Sequence, residues 1–188
     1  MLVANAIELL DERGVSGFSL REVARRADVA AAAPSHHFGN VAGLLTTIAT
    51  AGFELLASDF ENVLSQDTPP IEQVIGLCEA YVYHGRRHPG MAAIMFRDEL
   101  LNQENPALCE ARLRSLQLLE RAVRSAMSKD ASNEQISDEQ ISRVAKVVWA
   151  TMHGLVALRM EEGEALRIQV GFAARAVLAG SDVIGFPK

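Results

Sequence analysis

Aromatic side chains are scarce, at 5% of the 188 residues. A folded core must therefore be filled mostly by Leu, Val, Ile, Ala and Met. β-Branched residues rarely cluster and no window alternates with period two, which argues against a sheet. The longest unbroken apolar runs, such as Met91 to Phe96, fall far short of the roughly 20 residues of a membrane span, so no membrane partner is expected. No basic segment precedes an apolar stretch near Met1, so no secretory signal is expected and the chain is read as cytoplasmic. Only two cysteines are present, Cys78 and Cys109, and they form no C-x-x-C pair. They are read as small buried hydrophobes rather than a disulfide. P-loop, G-x-G-x-x-G, G-x-S-x-G and H-E-x-x-H patterns are all missing, so no enzyme, no catalytic residue and no cofactor is expected.

Positive charge is also in short supply. Eighteen Lys and Arg stand against 24 Asp and Glu, a net charge of −6. That excludes a protein that coats nucleic acid by bulk charge, while leaving room for a local basic face. Residues 1–50 hold four arginines against five acids, yet Arg21, Arg25 and Arg26 fall within six positions.

What the chain does have is helical periodicity almost throughout. Leu2, Val3, Ala6, Ile7 and Leu10 recur at three- and four-residue steps up to Arg13, where Gly14 and Gly17 stop the helix. Ser19 with Glu22 three residues later is a capping-box pattern. The helix it opens turns Leu20, Val23, Ala24 and Ala27 inward and Arg21, Glu22, Arg25 and Arg26 outward. Asp28 ends it, because Asp tolerates left-handed backbone geometry. About three residues later a short helix is expected from near Ala31, since Pro34 fits only a first turn. Gly39 and Asn40 close it, and Asn40 caps a long fourth helix carrying Leu44, Leu45, Ile48, Phe53, Leu55, Leu56 and Phe60.

Gln66 to Pro70 is the clearest break. Helical patterns follow over Ile71 to Arg87, over Pro89 to Leu101, and after Pro106 with Leu108, Leu113, Leu116, Leu119 and Val123 inward. A polar loop at Lys129 to Ser137 precedes helices over Asp138 to Glu161 and Glu164 to Leu178. The fold class is all-α, with about nine helices. An N-terminal helix-turn-helix domain is expected over residues 1–45 and a larger helical domain over 46–188, to which the resemblance described below assigns ligand binding and dimerisation.

Two short helices joined by a tight turn and braced by a first helix form a helix-turn-helix unit. The second must enter a major groove, so it needs small or polar residues outside. Ala31, Ala32 and Ala33 meet that need, and Ser35, His36 and His37 offer hydrogen-bonding groups. The stretch Phe18-Ser-Leu-Arg-Glu-Val-Ala-Arg-Arg-Ala-Asp-Val29, with Ala33-Pro-Ser-His-His-Phe-Gly-Asn40 and Gly43-Leu-Leu45, resembles the DNA-binding domain of the TetR family of transcriptional regulators over about residues 1–57. Trp149-Ala-Thr-Met-His-Gly154 is similar to a segment of the penultimate helix in one branch of that family.

The resemblance implies roles residue by residue. Ser19 caps its helix and touches a phosphate. Arg21 reaches a base edge, best matched to guanine. Ala31 and Ala32 match base-facing positions, while Ser35, His36 and His37 match phosphate and groove contacts, and Asn40 is counted with the DNA-binding residues. For His37, packing at the helix end is the competing role. Three positions depart from the family pattern: Ser35 replaces a Tyr, Val41 a Lys and Asp28 a Gly. The first two remove expected phosphate contacts. No basic arm stands before the first helix, which allows a natural start upstream of Met1.

The larger domain is less informative. Tyr81, Met91, Met95, Phe96, Trp149, Met152 and His153 either line a cavity for a small apolar or amphipathic ligand, as the resemblance implies, or form plain core. His153 is the expected polar anchor if buried there. His84 and His88 are four apart, but Gly85 and Pro89 break the face they would share, so no metal site is expected. Arg86 and Arg87 suit a helix C-terminus. The last two helices are apolar on more than one stripe and need two partners each. The resemblance implies a homodimer joined through them, acting as a repressor released from palindromic operator DNA by a ligand. A helical small-molecule binding protein with weakened DNA binding is the rival reading.

Overall fold

The computed structural model describes residues 1–127, 136–158 and 163–183, with side chains placed to residue 180. Among them there are nine α-helices and no strand. The helices are α1 (Leu2–Arg13), α2 (Leu20–Arg26), α3 (Ala33–Phe38), α4 (Val41–Leu64), α5 (Pro70–Arg87), α6 (Pro89–Met95), α7 (Pro106–Met127), α8 (Asp138–Ala157) and α9 (Gly163–Val183). The expected polar loop lies mostly outside the described residues.

The chain divides into two compact units, Met1–Leu55 with His84–Leu113, and Leu56–Tyr83 with Arg114–Lys188. In the first, α1 ends at Gly14, whose φ of 63° a side chain would strain, with its N–H on the Leu10 carbonyl. Leu9, Leu10, Val23, Leu44, Ile48 and Ile94 form its core. Thr46 is buried in α4, where its hydroxyl donates to the Ala42 carbonyl and accepts the Asn102 N–H at 2.9 Å. Arg112 donates to the carbonyl of Met95, the side chains of Asp98 and Gln103, and lies over the Phe53 ring. Helix α6 stops at Met95 rather than continuing to Leu101, and the Arg112 guanidinium satisfies the Met95 carbonyl that the ended helix leaves open. The residues beyond form a separate single 3-10 turn, Asp98–Leu100.

In the second unit, Leu56, Phe60, Val74, Leu77, Leu119 and Ile141 are buried. Helix α8 opens on a full capping box of Ser137 and Gln140. Ion pairs Arg175–Glu72 and Arg114–Glu61, both at 2.7 Å, tie its helices at the surface. Leu113, expected inward, is 54% exposed, and Leu55 is exposed as well. A helix of 22 or 24 residues turns through every face, so its apolar positions outnumber those a single stripe can bury. Cys109 is likewise exposed, its Sγ on the Gln103 carbonyl, whereas Cys78 is buried with its thiol pushed up to about 12 by desolvation. Both thiols are free. Helix α4 is long and apolar enough to cross a membrane, and half of its most apolar window is buried inside the protein.

Candidate DNA-reading face and its relatives

Local chemistry sets the helix-turn-helix. Ser19, in extended conformation, accepts the Glu22 N–H on its Oγ at 3.3 Å and so starts α2. Glu22 does not complete a capping box. Its carboxylate turns to Arg25, which donates Nε to Oε2 and Nη2 to Oε1, both at 2.9 Å. Asp28 leaves α2 with φ 51°, the left-handed geometry expected of the residue that replaces a glycine there. Helix α3 starts at Ala33, two residues later than expected, because Ala33 N–H closes a turn on the Ala30 carbonyl at 2.8 Å. Ala31 and Ala32 therefore belong to the turn, and six residues rather than three separate α2 from α3. Asn40 Oδ1 accepts the Gly43 N–H at 2.9 Å and opens α4. A Cβ on Gly43 would lie 1.9 Å from the Phe38 carbonyl oxygen, so only glycine lets α3 and α4 meet so closely.

Every residue expected to face DNA is exposed: Ser19, Arg21, Ala31, Ala32, Ser35, His36, His37 and Asn40. Val41 is also exposed, at 40%, and thus open at the position where the family pattern has a lysine. Pro34 is the buried member of α3 and seats it. The arginines divide sharply. Arg26, expected outward, is folded in with its side chain 15% exposed, on Glu12 at 2.5 Å and Glu22 at 3.5 Å. Sequence spacing placed it on the outer face, but two carboxylates from α1 and α2 draw it down. The hydrogen bond from Arg25, then the charges around it, hold the Glu22 carboxyl at about 2, far below its usual range. Glu12 is lowered by its hydrogen bond from Arg26. Ser19, Arg21, Glu22, Arg25, Val29 and Ala31 line an open cleft of about 390 Å³.

The seven ligand candidates split between the units. Met91 and Met95 are buried in the first, and Phe96 packs edge-on against Phe53 at 5.4 Å. Met95 fills the space left by Gly52, whose added Cβ would meet its Sδ at 2.7 Å. The second unit brings Tyr81, Trp149 and His153 together. The Tyr81 hydroxyl bonds His153 Nδ1 at 2.9 Å, and the Trp149 ring stands edge-on to Tyr81 at 5.8 Å. Burial pushes the Tyr81 phenol up. His153 itself is exposed, with its ring steeply tilted to that of Tyr81 and the centroids 6.5 Å apart. Met152 lines a small apolar cavity of about 10 Å³ with Cys78, Val148 and Val170. The rings of His84 and His88 are 5.2 Å apart, but His88 belongs to the start of α6. Among the described residues no group of three His, Cys, Asp or Glu converges as metal ligands.

A braced helix pair with a polar, exposed second helix and an exposed arginine at the start of the first defines a helix-turn-helix DNA-binding protein. Residues 2–48 match the model for bacterial regulatory proteins of the tetR family, and residues 74–179 the tetracyclin repressor-like C-terminal domain. The chain belongs to the TetR family of transcriptional regulators. It is 32% identical to a protein of unknown function from Rhodococcus sp. RHA1, with TM-score 0.76 over 95% of this chain and 92% of that one. The TetR family transcriptional regulator PfmR from Thermus thermophilus shares the fold, at TM-score 0.73 and 19% identity over 93% and 97%. The probable HTH-type transcriptional regulator YttP of Bacillus subtilis is 27% identical over 101 residues, 52% of this chain. The match spans about half of that relative, 48%.

Proposed function

We propose that the chain is a homodimeric repressor that reads palindromic operator DNA through α2 and α3 and is released by a small apolar or amphipathic ligand. The observation that carries this reading is the exposed set on α2, α3 and the turn between them, from which Arg21 extends with no carboxylate among the described residues gripping it as Arg25 and Arg26 are gripped. In it, Arg21 reads a guanine edge, Ala31 and Ala32 approach bases, and Ser19, Ser35, His36, His37 and Asn40 contact the backbone or groove. Ligand-facing residues are drawn from Tyr81, Trp149, Met152 and His153. Met91, Met95 and Phe96 serve packing in the first unit. Helix α4 has residues in both units. A ligand that binds a tilted α4 better than the DNA-competent one shifts the population and opens the operator complex. The domain division that goes with this reading is residues 1–45 for DNA and 46–188 for ligand and dimer, working in the cytoplasm. Fluorescence anisotropy with the DNA flanking its own gene tests it. Arg21→Ala weakens binding there by about 1–3 kcal/mol and relaxes base preference. Unchanged affinity overturns the assignment.

A further inference from the structure

The open cleft beside α2 holds a side chain to which neither the family pattern nor the spacing of residues assigned a DNA role. Arg25 lines it together with Ser19, Arg21 and Ala31. Its side chain is 69% exposed, yet it is not loose. Glu22 grips one edge of the guanidinium through two hydrogen bonds at 2.9 Å. An arginine offers five N–H donors in a planar fork, so this grip leaves three, directed away from the carboxylate. Glu22 is itself held: Arg26 reaches its Oε1 at 3.5 Å, and Arg26 is fixed in turn by Glu12 on α1. Arg13 adds a third cation at 3.5 Å. An anchored carboxylate thus presents a flat cationic edge in the cleft that Arg21 shares.

We propose that Arg25 is a phosphate contact of the DNA complex and that Glu22 is its positioning residue. This rests on the reading of α2 and α3 as the DNA-reading face. Position favours phosphate over base. Arg25 lies one turn beyond Arg21, about 5–6 Å away at Cβ, toward the end of the helix that crosses the backbone in this motif. Arginine forks pair two N–H groups with a phosphate, and a preset fork loses less freedom on binding. The contact supplies a cation on a face where Ser35 and Val41 supply none. It also accounts for an acid in the cleft: Glu22 faces the duplex only behind the guanidinium that it holds.

Phosphate contacts are independent of sequence, so the test uses a mixed-sequence duplex of about 30 base pairs, roughly three helical turns. Binding of the full chain is titrated across a salt series for the wild type, Arg25→Gln, Arg25→Lys, Glu22→Gln and Arg21→Ala, with a thermal melt of each. Arg25→Gln should flatten the slope of log affinity against log salt by about 0.9 per subunit. Arg25→Lys should restore the slope and only part of the affinity, since a point charge lacks the fork. Glu22→Gln should keep the slope and bind more weakly, opposite in sign to the plain removal of an acid near DNA. Wild-type slope and affinity in Arg25→Gln would overturn the phosphate contact. Tighter binding by Glu22→Gln would overturn the positioning role. If Arg21→Ala is also without effect on this duplex or on the flanking DNA, the DNA-facing reading of α2 fails instead.

Discussion

Asp11 Oδ1, on α1, accepts the backbone N–H of Gly90 at 2.6 Å, so a side chain near the end of the first helix caps the start of the sixth. The helices are close enough that a Cβ on Gly90 would lie 2.9 Å from that of Leu10. Asp11→Ala leaves an N–H in the first turn of α6 without that acceptor. Helix-cap losses cost about 1 kcal/mol. Thermal melting should fall by a few degrees. An unchanged melting point would show that the bond contributes nothing to the fold.

Gly43→Ala should do more damage than its single methyl suggests. The new Cβ would sit on the Phe38 carbonyl oxygen at 1.9 Å, and backbone cannot yield as a flexible side chain does. The expected result is loss of the fixed angle between α3 and α4, read as loss of DNA binding together with a lower melting temperature. Gly154→Ala, whose Cβ meets nothing within 4 Å in its own chain, is the comparison: a methyl there is far smaller than the arginine used below to part the dimer, and alanine favours a helix interior over glycine, so it should melt no lower than the wild type. Equal behaviour of the two variants would contradict the close approach.

Stability should depend on pH through Glu22. Its carboxyl titrates at about 2 in the folded chain against an ordinary 4.5, so the unfolded state binds the extra proton. The contribution is therefore fully present above about pH 4.5 and is lost as pH falls toward 2. Glu22→Gln removes it at every pH. The gap in melting temperature between the two proteins should be constant from neutral pH to about 4.5 and close below. A gap that widens on acidification would contradict the depressed value.

The last two helices should hold two copies together. Ile168 and Phe172 of α9 and Val147 of α8 are 68%, 75% and 52% exposed in the single chain. Ile168 and Phe172 are four apart on α9 and share one face, and among the described residues all three side chains stay largely uncovered. Light scattering should give near twice the 20.4 kDa chain mass. Phe172→Glu, or Gly154→Arg at a position with open space, should shift it toward the monomer. A monomeric wild type would remove the two-fold geometry from the proposed operator complex.

The local punctuation of the first 45 residues was legible. Ser19 and Asn40 cap the helices they were expected to cap, and Asp28 takes the left-handed turn. Each of these acts within three or four positions, where sequence spacing is spatial spacing. Ala31 and Ala32 were placed in α3 because Pro34 needs a first turn, but a first turn admits proline at more than one position, and here Pro34 is the second residue of the helix. Arg26 was read outward because its partner Glu12 is 14 residues away. The Asp11–Gly90 bond spans 79 positions and the Tyr81–His153 bond 72, and no local pattern announces either. Ligand candidates were the hardest to place. A Met and aromatic stripe carries the same signal in core and cavity, and Met95 is drawn to packing by Gly52, a residue with no side chain to betray it.

Selection from a random pool of duplex DNA tests the central claim most directly. A two-fold dimer reading major grooves with α3 places its recognition helices about 34–36 Å apart, or a multiple of that turn. The enriched sequences should be inverted repeats whose half-site centres are about 10 base pairs or a multiple apart, with a guanine in each half lost from the selection by Arg21→Ala. No enrichment, or a single half-site without its inverted copy, would contradict the account.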